Sequence, residues 1–186
     1  MRDILIVSDT HGRVSRLNEL IEYRQKLIKD SDPLTIIHLG DGLNDLFSSS
    51  QYDNIISYAV RGNCDFSIAD RMSPHGEEMP IYQLIHIDKY KLFITHGHLF
   101  SVKGGYEELC REASRQGADM VLFGHTHLPM IEYIEKGSIR GVDNELVLFN
   151  PGSLGSMFDG SFGNLSIGEN GFLFSHGKYN NINKNQ

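Results

Sequence analysis

Three times in the first 60 residues a short apolar run breaks off at a polar, glycine-marked turn. "DILIVS" (3–8) stops at Asp9, "TIIHL" (35–39) stops at Gly40-Asp41-Gly42, and "IISYAV" (55–60) stops at Arg61-Gly62-Asn63-Cys64-Asp65. Runs this short and this apolar read as buried strands. Between the first two, Leu17, Leu20, Ile21, Arg24 and Ile28 keep helical spacing and predict a helix from about Ser15 to Lys29 with one mostly apolar face. Asp32-Pro33 ends that segment, because proline disfavours helix in the residue before it. A short helix fits 44–50. Strand, helix, strand, helix, strand implies an α/β chain with parallel strands.

The second half changes character. Residues 66–80, with Pro74, Gly76 and Pro80, read as a long connection. "IYQLIHI" (81–87) and "YKLFIT" (90–95), parted by Asp88-Lys89, predict a hairpin. A helix from about Tyr106 to Arg115 follows, with Gly117 placed to cap its end. "DMVLF" (119–123) is another buried strand. "IEYIE" (131–135) and "ELVLFN" (145–150) predict a second hairpin, and 162–168 with 171–176 a last pair turned at Glu169-Asn170-Gly171. We expect one domain over residues 1–178 and a polar, frayed tail over 179–186.

The 186 residues carry a formal charge of −7, which disfavours stable binding to nucleic-acid phosphates. Only two cysteines, Cys64 and Cys110, are present, so no disulfide framework follows. No stretch approaches the ~18–20 apolar residues of a membrane span. The Ile4–Val7 run is too short for a signal-peptide core. The expectation is a soluble, cytoplasmic protein with no membrane partner; a homo-oligomer is left open.

Each buried strand ends in a turn that holds Asp, Asn or His. The turns are Asp9-Thr10-His11, Gly40-Asp41, Gly62-Asn63, Thr95-His96-Gly97-His98 and Gly124-His125-Thr126-His127. In open α/β sheets ligands sit beyond the carboxyl ends of the strands, so five such turns would converge on one rim. Any one of them alone is ordinary turn chemistry. Their conjunction after five predicted strands is what points to a site. Oxygen and imidazole donors suit Mn²⁺, Fe²⁺ or Zn²⁺ better than Ca²⁺. There are too many donors for one ion, whereas two ions about 3.5–4 Å apart, sharing a carboxylate, would use them. His38, His75, His86 and His176 are expected to serve packing or surface roles.

Asp-x-His, Gly-Asp, Gly-Asn, His-Gly-His and Gly-His-x-His, in that order, resemble the calcineurin-like metallophosphoesterase superfamily. The length and the phrases "VRGNCD", "THGH", "GHTHLP" and "NPGS" are similar to its YfcE-type phosphodiesterase branch. The resemblance runs from residue 4 to about 175. It implies a four-layer α/β/β/α sandwich with mixed sheets. It implies that Asp9, His11 and His127 hold one divalent ion, that Asp41 bridges two, and that Asn63, His96 and His125 complete the second. The ions would be Mn²⁺, with Fe²⁺, Zn²⁺ or Ni²⁺ as alternatives.

The implied activity is metal-dependent hydrolysis of a small phosphodiester by a hydroxide bridging the two ions, with Asp41 and Asn63 in the catalytic centre. Many family members place histidine directly after the motif asparagine, where it is thought to aid the leaving group. Here Cys64 stands there, and a neutral thiol is a poor proton donor to an alkoxide. His98 is the candidate substitute, in contact with phosphate or leaving oxygen; the alternative is that it only buttresses its turn. Asn150 and Ser153 of "NPGS" read as structural. Other functions compatible with the same residues are a phosphomonoesterase and a non-catalytic protein-binding scaffold, as in the metallophosphoesterase-like subunit of retromer.

Overall fold

A computed structural model describes residues 2–28 and 33–182. The three opening strands are β1 (Arg2–Val7), β2 (Leu34–His38) and β3 (Ile55–Ala59), alternating with helices α1 (Val14–Leu27) and α2 (Leu43–Phe47). They pair in parallel, with Ile4 opposite Thr35 and Leu34 opposite Ile55. The expected helix end at Lys29 lies outside the described residues. The helix expected at 44–50 is shorter and gives way to a 3-10 turn at Tyr52–Asn54.

The 66–80 connection is not featureless. It contains α3 (Ile68–Arg71), started by a reciprocal cap in which the Ser67 hydroxyl accepts the Asp70 N–H at 3.0 Å and the Asp70 carboxylate accepts the Ser67 N–H at 3.1 Å. Two satisfied N–H groups let a helix of one turn persist where the apolar pattern offers nothing to read.

Next come β4 (Tyr82–Ile87), β5 (Tyr90–Thr95), α4 (Glu107–Arg115), β6 (Met120–Leu122), β7 (Met130–Ile134), β8 (Leu146–Asn150), β9 (Ser161–Gly168) and β10 (Gly171–Lys178). The three expected hairpins form: β4–β5, β7–β8 and β9–β10 are antiparallel pairs. Gly117 takes φ +70° at the end of α4 and donates to the Ser114 carbonyl at 2.9 Å, as a glycine cap does. Residues 179–182, expected to fray, instead form α5 (Tyr179–Ile182). Tyr179 and Ile182 are buried against α1 and its sheet, which offsets the ordering cost of the chain end. The expected tail over 183–186 lies outside the described residues.

The strands form two mixed five-stranded sheets, ordered β10-β9-β1-β2-β3 and β4-β5-β6-β8-β7. Alternation along β1 assigns the layers. Ile4 and Ile6 face the second sheet and pack with Ile85, Leu92, Ile94, Leu122 and Phe149. Leu5 and Val7 face the other way, onto Leu17, Leu20 and Ile21 of α1. On the far side, Phe93, Val121 and Leu148 pack against Leu109, Cys110 and Ala113 of α4. The layers therefore run helix, sheet, sheet, helix, as expected. Strands buried on both faces have no room for a polar alternation, which is why they read as continuous apolar runs. Among the described residues no helix is long and apolar enough to cross a membrane.

Candidate metal centre

The sandwich brings the carboxyl ends of β1, β2, β3, β5 and β6 to one rim. The turns after β1, β2 and β6 have backbones bent beyond the ordinary. Asp9, His11, Asp41, His125 and His127 all have positive φ, between +46° and +66°. Non-glycine residues adopt this region rarely, with Asp, Asn and His the more tolerant, and such strain gathers at functional sites. Two glycines allow the turns to touch. A Cβ on Gly62 would lie 2.1 Å from Asp41 Oδ1, and one on Gly124 would lie 1.9 Å from the Ser8 hydroxyl.

Asp9 is fully buried. Its Oδ2 accepts the Ser8 hydroxyl at 2.6 Å and the His125 N–H at 3.1 Å. Its Oδ1 is buried without a hydrogen-bond partner. His127 Nε2 lies 3.0 Å from that oxygen, with His11 Nε2 at 3.8 Å and His96 Nε2 at 4.0 Å. His11 and His127 face each other Nε2 to Nε2 at 3.5 Å.

Asp41 Oδ1 accepts the Cys64 N–H at 2.7 Å, and Oδ2 lies 3.4 Å from His96 Nε2. The buried His96 ring donates Nδ1–H to the Leu39 carbonyl at 2.7 Å, which turns Nε2 into the site. His125 Nδ1 is 3.2 Å from that same Nε2. Asn63 Oδ1 is buried without a partner. The sequence-predicted residues Asp9, His11, Asp41, His96, His125 and His127 thus lie together, and Asn63 directly precedes Cys64, whose N–H binds Asp41. His98 stands beside them, its ring 5.5 Å from that of His96, with a buried, unpartnered Nδ1.

Carboxylate oxygens and imidazole nitrogens therefore crowd together across this rim. Buried oxygens without donors are costly unless a cation satisfies them. Two groups of three side chains have donor atoms close enough to share an ion: Asp9, His11 and His127, and Asp9, Asp41 and His96. A third, His11, Asp41 and Cys64, brings the thiol to the edge of the same centre. The residues fit metal ions.

Residues 1–170 match the calcineurin-like phosphoesterase superfamily domain. The chain belongs to the calcineurin-like phosphoesterase superfamily. This phosphoesterase is 32% identical over 168 residues to phosphodiesterase YfcE of Escherichia coli K12, an alignment covering 83% of this chain and 80% of that one. It is 34% identical over 158 residues to a probable metallophosphoesterase of Mycoplasma genitalium, covering 83% and 78%. Its fold is that of a predicted phosphoesterase from Streptococcus pneumoniae (TM-score 0.68, 23% identity, 96% and 90% covered).

The phosphoesterase site also depends on residues that the motifs did not single out. Asp65, buried, accepts four backbone N–H groups: Asp41 at 3.0 Å, Gly42 at 2.9 Å, Leu43 at 3.1 Å and Gly62 at 2.7 Å. It ties the β2 turn to the β3 turn. Asp45, also buried, accepts the Thr10 hydroxyl at 2.5 Å and the Gly12 N–H at 2.8 Å, and so fixes the β1 turn. The signal was an acidic residue two after Asn63 and another four after Asp41, but sequence does not separate a carboxylate bound to backbone from one held free for a ligand. His38 is fully buried rather than merely packed: Nδ1 accepts the Gly40 N–H at 3.2 Å. Asn150 holds the Gly124 carbonyl at 2.8 Å and Ser153 the Asp9 carbonyl at 2.9 Å, so "NPGS" serves the turns and not the donor cluster.

Electrostatics follow from burial and crowding. Burial pushes the Asp9 and Asp41 carboxyls up, but His127 beside Asp9 and His96 beside Asp41 outweigh it and hold both below the usual range. The Asp9 carboxylate raises His127. Burial, then the charge of His96 and of Lys103, push His125 down to about 4. Burial and the Asp41 carboxylate push the Cys64 thiol up to about 11, so it stays neutral at pH 7.

Proposed function

We propose that this chain is a metal-dependent phosphodiesterase for small phosphodiesters, with two divalent ions, Mn²⁺ first among the candidates, in the centre described above. The observation that carries the proposal is the buried, unpartnered Asp9 Oδ1 faced by three imidazole nitrogens, with Asp41 and His96 continuing the cluster inward. Asp9, His11 and His127 would hold one ion, Asn63, His96 and His125 the other, and Asp41 both. Bound there, such ions supply a water acidified toward neutrality and positive charge against the phosphoryl oxygens.

The chain's own residues would do the rest. Asp65 and Asp45 keep the β1, β2 and β3 turns in register, so the donors are preorganised before substrate arrives. Water gives up a proton as it attacks phosphorus, the bond from phosphorus to the leaving ester oxygen breaks, and that oxygen takes up one proton in its place, so no net proton is consumed in forming the alcohol. Burial, then the charge of His96, lower the pKa of His98, so its ring is mostly neutral at pH 7. We assign it to orienting phosphate or leaving oxygen rather than to strong acid catalysis. The neutral Cys64 thiol is likewise a weak donor. Both points favour esters with good leaving groups. The free cysteines, Cys64 and Cys110, suit the reducing cytoplasm proposed for the chain.

The test is hydrolysis of paired chromogenic phosphodiester and phosphomonoester substrates by metal-stripped protein, before and after Mn²⁺ is restored. Diester turnover that returns with about two ions per chain is expected. Preference for the monoester would make it a phosphatase. No turnover of either with both ions bound would favour a scaffold.

A further inference from the structure

Around the charged centre the fold leaves large apolar side chains bare. Leu128, directly after His127, is 68% exposed, and Met157 and Phe158 are 76% and 89% exposed. Leu128 leaves the His127 turn directly, and the segment that leads into Met157 and Phe158 packs on the Asp9 turn. Gly155, two residues before Met157, donates to the Asp9 carbonyl at 2.9 Å. It packs so closely there that a Cβ would lie 2.6 Å from the Thr10 carbonyl oxygen. Pro129, directly after Leu128, lies against Gly152, where a Cβ would fall 2.8 Å from the proline ring.

The backbone that carries Met157 and Phe158 is held on both flanks. Arg16 Nη1 donates to the Leu154 and Ser156 carbonyls at 3.2 and 2.5 Å, and Asn180 Nδ2 to the Phe158 carbonyl at 3.0 Å. Lys178 pairs with Asp159 at 3.3 Å. A fixed backbone presenting unburied apolar groups next to a reactive centre is the pattern of a binding surface.

We propose that Leu128, Met157 and Phe158 form an apolar shelf that receives the retained ester group of the substrate, so that the protein selects phosphodiesters with a bulky apolar or aromatic group there. The inference rests on the phosphodiesterase reading. A cation-loaded centre draws the phosphate anion, and the shelf, continuous with the His127 turn, meets what the phosphate carries. A monoester has no second ester group to place on it, which gives a physical reason for diester preference. The same continuity argues for a substrate group rather than a second copy of the chain as the occupant.

Two diesters with one leaving group test it: bis(4-nitrophenyl) phosphate and methyl 4-nitrophenyl phosphate, on the metal-loaded full chain. Phe158→Ser and Leu128→Ser, with Met157→Ser as a third variant, are expected to raise KM for the bis-aryl diester by roughly tenfold. Parameters for the methyl diester, metal content and melting temperature should stay as in the parent. A KM ratio between the two diesters that is unchanged in all three variants would overturn the shelf. An unchanged ratio with loss of an oligomer in sedimentation would overturn it in favour of a subunit interface. No turnover of either diester by the parent would bring down the phosphodiesterase reading and the shelf with it, a result distinct from turnover of both without discrimination, which sinks the shelf alone.

Discussion

On one side of Asp9, His11 and His127 reach in from solvent, with 37% and 48% of their side-chain surface exposed. On the other, Asp41 and His96 are closed off at 3% and 0%. The two sides use the same kinds of donor in different ways. The inner side is part of the core: His96 is aimed by the Leu39 carbonyl, and Asp41 sits in a turn stitched by Asp65. The outer side is made by turn residues whose rings are partly open to solvent. We expect an inner ion held by the fold and an outer ion held mainly by its ligands.

The largest effect should come from the residue proposed to bridge both ions. Asp41→Ala is expected to lower kcat by at least about 10³-fold and to empty both sites, read by metal analysis. Two ions still bound in that variant would break the bridging assignment.

A smaller contrast separates the two histidines. His96→Ala leaves the buried Leu39 carbonyl without its donor and should cost roughly 1–3 kcal/mol of metal-free stability in urea titration. His127→Ala, at a half-exposed position, should cost under about 1 kcal/mol while removing the outer ion. Equal losses from both would erase the distinction between a folded-in side and an added one.

The smallest effect is a pH trend. His127 is raised by Asp9, so its contribution to the metal-free fold is full below the ordinary histidine pKa of about 6.5 and is lost as pH rises through its folded value. Asp9 is lowered, so its contribution is present above about pH 4 and is lost as pH falls through its own folded value. Those two contributions overlap between about pH 4 and 6.5, where the lowered His125 and His98 oppose them, because the unfolded chain takes up protons there that the folded rings do not. Metal binding must expel the His127 proton, so the rise in melting temperature given by Mn²⁺ should grow between pH 5 and 8. A constant increment over that range would argue against histidine ligation.

Much of the architecture was legible because both sheets are covered on both faces. That makes the central strands continuous apolar runs, and the turns that end them are the only polar interruptions. The motif order pointed to Asp9, His11, Asp41, Asn63, His96, His125 and His127 as candidates, and the fold brings Asp9, His11, Asp41, His96 and His127 within reach of one another. Asp45 and Asp65 were harder, because their role is to accept backbone N–H groups from turns distant in sequence. α3 and α5 were missed for a related reason: one is held by a local cap, the other by two side chains docking on α1 and its sheet.

Sequence by itself determined the strands, the hairpins, the turns that carry the donors and the family they spell, since each follows from apolar periodicity and short-range turn chemistry. Only the tertiary structure decided the rest. It put β8 between β6 and β7, left Asp9 Oδ1 buried without a hydrogen bond, turned Asp65 into a clamp and left Phe158 bare. The physical reason is range: local pattern fixes what each segment can bury, while burial, register and the meeting of carboxylate and imidazole groups depend on which distant segments pack together.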